Sequence, residues 1–558
     1  MVFILIYTRF YNISWGLPYP FHPDERNIAV SLEQLSCSVS NIKECLNPHF
    51  FAYGQFFIYL SFFIYKLFLF ITSGSFLGKI SFFDSFLILR IISALSSVIT
   101  VIFSLLIIKE FIYKKARPQI NNIILGGFLL LIFSPGLIQF AHFGTTESLL
   151  IMFYTILVYF AALLINKKIS IQKYVFSTAL TIGLAAATKI SSLVFSIAPV
   201  LILLTYKKLD KKTILYLFEF LFVILFFTVI FSPYNLIAFK DFIGALRYES
   251  DVASGAAKVF YTYQFEYTIP IFFQLFNIFP FVLGIPILIL FLSWILFLRL
   301  NKTNNILRIF FLSYFIPTAF LYSKWTRFVV PILPICIIIG LLFLIEYKNL
   351  FFKKTKIQNI LFWTIILISI IPGIAFLSIY SNDDIRNQAS KWINKNIPSK
   401  TLILSETANV VDIPNYFAKN NSYKVISFDF YGLDNNDELK NKLTEYVSSA
   451  DYIFVPSRRI FANYTCEKDK KITNNIPVFR NTTISDSKKC EQLKEKYPLL
   501  NEYYEMLFSE KKFKKVAELS SYPTIELFGK KVIEIKDEMA EETFTVFDHP
   551  VIRIYKRI

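Results

Sequence analysis

A polytopic α-helical membrane protein with a C-terminal soluble α/β domain is the fold class this sequence predicts, and three observations carry the prediction. Hydrophobic residues make up 55% of the chain, with 63 phenylalanines and a mean hydropathy of +0.52. Apolar runs of about 20 residues, the length that crosses a bilayer, recur through the first two thirds. After Tyr380 the composition turns abruptly to a charged, mixed sequence long enough for a folded core of its own. The net charge of +18 would suit nucleic acid. Lys and Arg sit in short connectors between apolar runs, however, so a lipid surface is the expected partner and nucleic acid is not.

Those connectors thread the chain. Lys109–Arg117, Asn166–Lys173, Lys207–Lys212, Arg299–Arg308 and Lys348–Lys356 are placed on the cytoplasmic side, where short loops carry the excess of Lys and Arg. Taken in order, spans are expected near 1–15, 85–108, 121–140, 146–165, 174–188, 190–206, 213–232, 269–298, 305–322, 328–346 and 359–379, about eleven in all. The apolar stretch Gln55–Ile71 is read as re-entrant or surface-lying, because counting it would move Asp24 and Glu25 to the basic side. The first span is short, so a start upstream is expected. A cleaved signal peptide is not, since no basic leader or small-residue cleavage site is present.

Residues 1–379 thus form the membrane domain, and 380–558 an extracytoplasmic domain. In the latter, Thr401–Leu404, Lys424–Phe428 and Tyr452–Val455 read as strands and alternate with helical stretches at Asp383–Asn394 and Asp437–Val447, an α/β order. Cys37 with Cys45, and Cys466 with Cys490, are candidate disulfides on the side where oxidation is expected. The alternative is four free thiols. Sequons at Asn420, Asn463 and Asn481 carry little weight alone.

The same threading gathers polar residues at one face. Asp24 and Glu25 lie in the first outer loop; His142, Thr145 and Glu147, then Lys189, then Arg247, Glu249, Tyr263 and Gln264, then Lys324 and Arg327 follow in later ones. Any one of them alone reads as a solvated cap or a snorkelling anchor. Together they suit transfer of a sugar from a polyprenyl phosphate. That donor already holds a good leaving group, so the enzyme needs cations for the phosphate and one carboxylate to deprotonate an acceptor hydroxyl. Glycoside hydrolysis, which divides work between two separated carboxylates, is a poorer match.

At these residues the chain resembles glycosyltransferase family 39, membrane C-type glycosyltransferases that include protein O-mannosyltransferases and lipid A aminoarabinose transferases. The resemblance rests on the stretch from Pro18 to Glu25, on Thr188–Ser191, on Tyr261–Gln264 and on Lys324–Pro331. Glu542–Pro550 also resembles the ending of prokaryotic members with an outer terminal domain. The resemblance implies a C-type architecture, a polyprenyl-phosphate sugar donor and an acceptor hydroxyl on a protein, lipid or glycan. It implies inverting transfer with Asp24 as general base, Glu25 positioning the acceptor, and Lys189 and Arg327 on the donor phosphate; the residues themselves offer Lys324 as a further candidate cation for that phosphate and His142, Glu147, Tyr263 and Gln264 as candidate substrate contacts. A multi-pass protein of a prokaryotic plasma membrane with an extracytoplasmic site is the expected setting.

Competing motifs fail. Gly74–Ile80 is one residue short of a P-loop and lacks its Ser/Thr. His22, His49, His142 and Glu147 allow a divalent cation, but no helical His-Glu-x-x-His supports one. A lipid-linked sugar transporter or flippase is the rival reading, with buried charge marking a path; its inverted repeats are not seen. A catalytically silent scaffold is a third.

Overall fold

The computed structural model describes residues 1–36, 44–112, 120–297, 301–351, 355–406, 423–465 and 486–558. Among them, five helices are long and apolar enough to cross a membrane: Phe56–Ser73, Phe82–Ile112, Glu147–Ile165, Lys211–Phe231 and Lys356–Ser381. Ile120–Ile132 and Pro135–His142 add a sixth if read as one span bent by 53°. The protein is an integral multi-pass membrane protein, with fewer full-length spans than the eleven expected. The remaining apolar runs fold as shorter or less apolar helices. The run at 269–298, for example, divides into Phe272–Asn277, Phe279–Val282 and Ile285–Leu296, with Pro280 and Gly284 at the breaks.

Two other expectations change. Phe56–Ser73 is one unbroken 18-residue helix ended by Gly74 in the left-handed conformation, long enough to span. The N-terminal run forms only the nine-residue helix Val2–Phe10, and it carries the fully buried Arg9. Pro135 ends the helix before it and leaves carbonyls of the last turn free. Arg9 takes two of them, donating to Leu131 O at 3.0 Å and Ile132 O at 2.9 Å. Within Phe82–Ile112 the buried hydroxyls of Ser96, Thr100 and Ser104 donate to carbonyls one turn back, which lets a polar residue sit in an apolar helix.

The terminal region is α/β, as its alternation predicts. Its five-stranded sheet has the order β2-β1-β3-β7-β4, from β1 (Leu402–Glu406), β2 (Lys424–Phe428), β3 (Tyr452–Val455), β4 (Phe513–Leu519) and β7 (Ile552–Arg557). β1 pairs parallel with β2 and β3, while β7 runs antiparallel between β3 and β4. Ile385–Asn396 and Asp437–Ser449 are the expected helices, the second capped by Asn436 Oδ1 at 2.9 Å and 3.3 Å from two backbone N–H groups. β5 (Thr524–Leu527) and β6 (Lys530–Glu534) form a separate hairpin.

The boundary at 380 does not separate two cores completely. Ala540, Phe544, Val546 and Phe547 belong to the hydrophobic cluster of the membrane helices, while the sheet has clusters of its own. The segment 537–549 therefore straps the terminal region to the membrane part. Cys45 and Cys490 are each engaged in a disulfide; Cys37 and Cys466, the partners expected for them respectively, lie outside the described residues, as do the sequons at Asn420 and Asn481.

Candidate active site

The helix Pro23–Gln34 begins with His22 as N-cap and Pro23 in its first turn, followed directly by Asp24 and Glu25. Proline fits that position because its missing N–H would be unpaired there anyway, and carboxylates are favoured at the positive end of the helix. His22 Nδ1 accepts from the Glu25 backbone N–H at 3.4 Å. Burial lowers the imidazole below its ordinary pKa, although the carboxylates of Asp24 and Glu25 pull the other way.

The two adjacent acids have different partners. Asp24 is half-buried and forms an ion pair with Arg327. Burial alone would raise its carboxyl, but Arg327, backed by His22 and Lys189, holds it below the usual carboxylate range. The Tyr53 hydroxyl adds a hydrogen bond. Arg327 sits in the short 3₁₀ turn Thr326–Phe328, its guanidinium 4.5 Å from the Trp325 ring centre. Its buried Nε–H has no hydrogen-bond partner among the described residues.

Glu25, expected to position the acceptor, is 1% exposed and engaged elsewhere. Arg90 grips it twice, Nε to Oε1 at 2.6 Å and Nη2 to Oε2 at 2.9 Å, and the Gly144 N–H donates to Oε1 at 2.7 Å. A Cβ on Gly144 would stand 2.8 Å from that oxygen, so the backbone approaches this closely only as glycine. Arg90 also ties to the carbonyls of Ile13 and Trp15 at 2.9 Å and 2.7 Å. With both carboxylate oxygens accepting from protein donors, Glu25 is the locking residue of the N-terminal segment.

Around Asp24 the structure does gather charge. Glu147 opens the helix Glu147–Ile165, and Lys189 Nζ lies 3.3 Å from its carboxylate and 4.9 Å from the centre of the Tyr53 ring. Lys189 occupies the C-cap of the helix Ile171–Thr188. The neighbouring chain passes so close that Gly54 N–H donates to Thr188 O at 3.0 Å, and a Cβ there would meet Ala187 O at 2.1 Å. Lys189, Arg327 and Tyr53 line one end of a cavity of about 420 Å³ whose remaining wall is mostly apolar, including Val194, Leu246, Pro317, Leu321 and Phe328. Glu249 also lines it. A second, water-sized pocket of about 20 Å³ is lined by Asp24, Glu147 and Arg327 together with Thr543 and Phe547.

Besides Glu25, four expected site residues do not join this group. His142 is buried, its ring nitrogens 2.8 Å from Ile138 O and 3.1 Å from Tyr11 O, and it stacks on Tyr380 at 3.8 Å. Lys324 donates to Tyr322 O at 3.0 Å, and burial lowers its ammonium to about 8. Tyr263 accepts from Lys496 Nζ at 3.1 Å and packs on Tyr464 and Tyr497. Gln264 donates to Glu541 Oε1 at 3.0 Å. The last two lie at the seam with the terminal region and hold it in place. Sequence reasoning missed Tyr53 and Arg90, the latter signalled as an ionisable group inside a long apolar run; Glu249 was among the polar residues gathered at the outer face, and Thr543 and Phe547 lie in the Glu542–Pro550 stretch, which was noted without a role in the site. Among the described residues no cluster of three or more His, Cys, Asp or Glu is arranged to hold a metal ion.

No family model matches the chain, and no curated protein does. Solved structures are similar in chain path. ArnT from Cupriavidus metallidurans bound to undecaprenyl phosphate is 13% identical over 81% of this chain and 91% of that one, with a TM-score of 0.47. The Archaeoglobus fulgidus oligosaccharyltransferase tethered with an acceptor peptide is 12% identical over 100% and 88%, with a TM-score of 0.44. AglB from the same organism, in complex with an inhibitory peptide and a dolichol-phosphate, is 12% identical over 83% and 70%, with a TM-score of 0.42. The activity of this chain is therefore read from its own site.

Proposed function

We propose that the protein transfers a sugar from a polyprenyl-phosphate donor to an acceptor hydroxyl, with Asp24 as general base. The observation that carries this reading is the cavity in which Lys189 and Arg327 face a mostly apolar wall beside the Asp24 carboxylate. A lipid phosphate has that polarity: its headgroup takes the cations and its chain takes the apolar wall. Arg327 brings a planar fork whose Nε–H has no partner among the described residues, suited to two phosphate oxygens.

In the reaction, the acceptor oxygen attacks the anomeric carbon, the bond from that carbon to the phosphate oxygen breaks, and the electron pair leaves on the lipid phosphate. Asp24 receives the acceptor proton. Lys189 and Arg327 balance the charge that grows on the phosphate. The Asp24–Arg327 pair adds a coupling: an anion on Arg327 withdraws the cation that depresses Asp24, so donor binding raises the basicity of the base. Glu147 holds Lys189 and Tyr53 orients Asp24.

Purified protein supplied with polyprenyl-phosphate sugars and hydroxyl acceptors should release lipid phosphate only when an acceptor is present. Asp24→Asn keeps the size of the side chain and should bind donor while transfer falls by roughly 10²-fold or more. A folded Asp24→Asn protein transferring at the wild-type rate would remove Asp24 from the chemistry. Movement of intact donor across vesicles without acceptor would instead establish the transporter.

A further inference from the structure

We propose that the β5–β6 hairpin is a membrane anchor, its tip inserted among lipid headgroups and upper acyl chains beside the last span. The hairpin is not part of the five-stranded sheet. It packs against the helix Thr355–Ser381, and the Thr524 N–H donates to Ser378 Oγ at 3.0 Å, about one turn from the end of that span. Its base is closed by Ile535 N–H donating to Pro523 O at 2.9 Å. Both legs enter from the terminal region, where Asp537 is buried, and the tip lies at the far end of the strands. Four residues of β5 at about 3.3 Å each place the tip roughly 13 Å from that tether, beyond the roughly 5–7 Å of one headgroup layer.

The tip has the composition such a place requires. Phe528 is fully exposed, and Leu527 and Val532 are more than half exposed, with Lys530 and Lys531 exposed beside them. Phe528 has φ of 51° and Gly529 φ of 74°. Left-handed turn positions favour Asn or Gly, and a bulky aromatic there is unfavourable. Nothing among the described residues covers the ring, which points to an external partner. An aromatic at the membrane interface beside a lysine, Lys530, whose stem lies along lipid and whose ammonium reaches the phosphates is the pattern of an interfacial anchor, while Lys531 is held within the hairpin by Glu534 at 2.9 Å. Continuity with the adjacent span selects the bilayer over a protein partner.

A nitroxide on Phe528→Cys, read against the unsubstituted protein in vesicles of phosphatidylcholine and phosphatidylglycerol, tests this without any activity assay. Collisions with molecular oxygen should exceed those with a water-soluble nickel chelate. A label on Glu445→Cys, exposed on the helix Asp437–Ser449, should show the opposite order. The Phe528 position has no packing to lose, so both proteins should elute as the unsubstituted one does. Chelate accessibility at Phe528 equal to that at Glu445 would overturn the anchor, as would the same accessibility in vesicles and in detergent-free lipid nanodiscs with the chelate favoured in each.

Discussion

Glu25→Gln separates a lock from a reactant. The substitution keeps the shape of the side chain and removes its charge, leaving Arg90 buried with side-chain exposures of 6% and 1% across the pair. Three hydrogen bonds meet Glu25, at 2.6, 2.7 and 2.9 Å. A glutamine can accept the Gly144 N–H but can answer Arg90 with one oxygen only, and without a counter-charge. Breaking a buried ion pair by neutralising one partner costs about 3–5 kcal/mol, a large part of the ~5–15 kcal/mol typical of a folded domain. Unfolding of the purified protein in mixed micelles should therefore shift by that amount. Transfer per folded molecule should stay near the wild-type rate, because Glu25 lines neither the large cavity nor the small pocket. Adding Arg90→Met removes the stranded cation and should recover part of the loss. Wild-type stability with a raised acceptor KM would refute this and return Glu25 to acceptor positioning.

Two further expectations follow from the same geometry. Arg327→Lys keeps the charge and loses the fork, so donor KM should rise roughly 10- to 100-fold, the equivalent of about 1.5–3 kcal/mol for charge-assisted hydrogen bonds, with the fold intact by thermal unfolding; an unchanged donor KM would remove Arg327 from the phosphate. His549 is buried between Asp537 at 2.8 Å and Asp548 at 2.5 Å, and although burial lowers its pKa, the two carboxylates raise it to about 10. A folded pKa above the ordinary 6.5 means that its stabilisation is complete below about pH 6.5 and is lost as pH rises toward 10, so the wild-type minus His549→Gln stability difference should shrink across that window; a flat difference would refute the clamp.

Much of the membrane architecture was legible because its signal is local. Apolar runs at 85–108, 146–165, 213–232 and 359–379 emerge as the helices Phe82–Ile112, Glu147–Ile165, Lys211–Phe231 and Lys356–Ser381, since run length alone decides whether a helix can cross. Where run length was trusted against punctuation it failed: Pro280 and Gly284 divide 269–298, and Ser134–Pro135 bends 121–140. The placement of Phe56–Ser73 rested on another rule. The threading rule asked which side Asp24 occupies, and an 18-residue apolar helix answers only to its own length.

The site was legible in part. Asp24, Glu147, Lys189 and Arg327 do converge, because scarce ionisable groups in a chain of this hydropathy are held where they can pair. His142, Lys324, Tyr263 and Gln264 were grouped with them by side of the membrane, but side fixes a face and not a distance. Lys324 and Arg327 show the difference: within four residues, one ammonium turns to Tyr322 O and one guanidinium to Asp24.

The chain end explains why no reading of separate domains could complete the site. Thr543 and Phe547 line the pocket against Asp24, and the strap that carries them is fixed on both flanks. On the membrane side, Glu541 accepts from the Thr326 N–H and hydroxyl at 3.0 Å and 2.9 Å, next to Arg327, and Asp548 accepts from Gln139 and Tyr380, both at 3.1 Å. On the other, Arg459 pairs with Glu542 with 4% exposure on each side, and Arg386 donates to Phe547 O at 2.9 Å. Each of these is a buried contact to a charged group, so loosening either flank leaves its own buried polar groups short of partners. The terminal region is thus a structural part of the pocket beside Asp24, and a membrane domain cut at 380 would lack one wall of it.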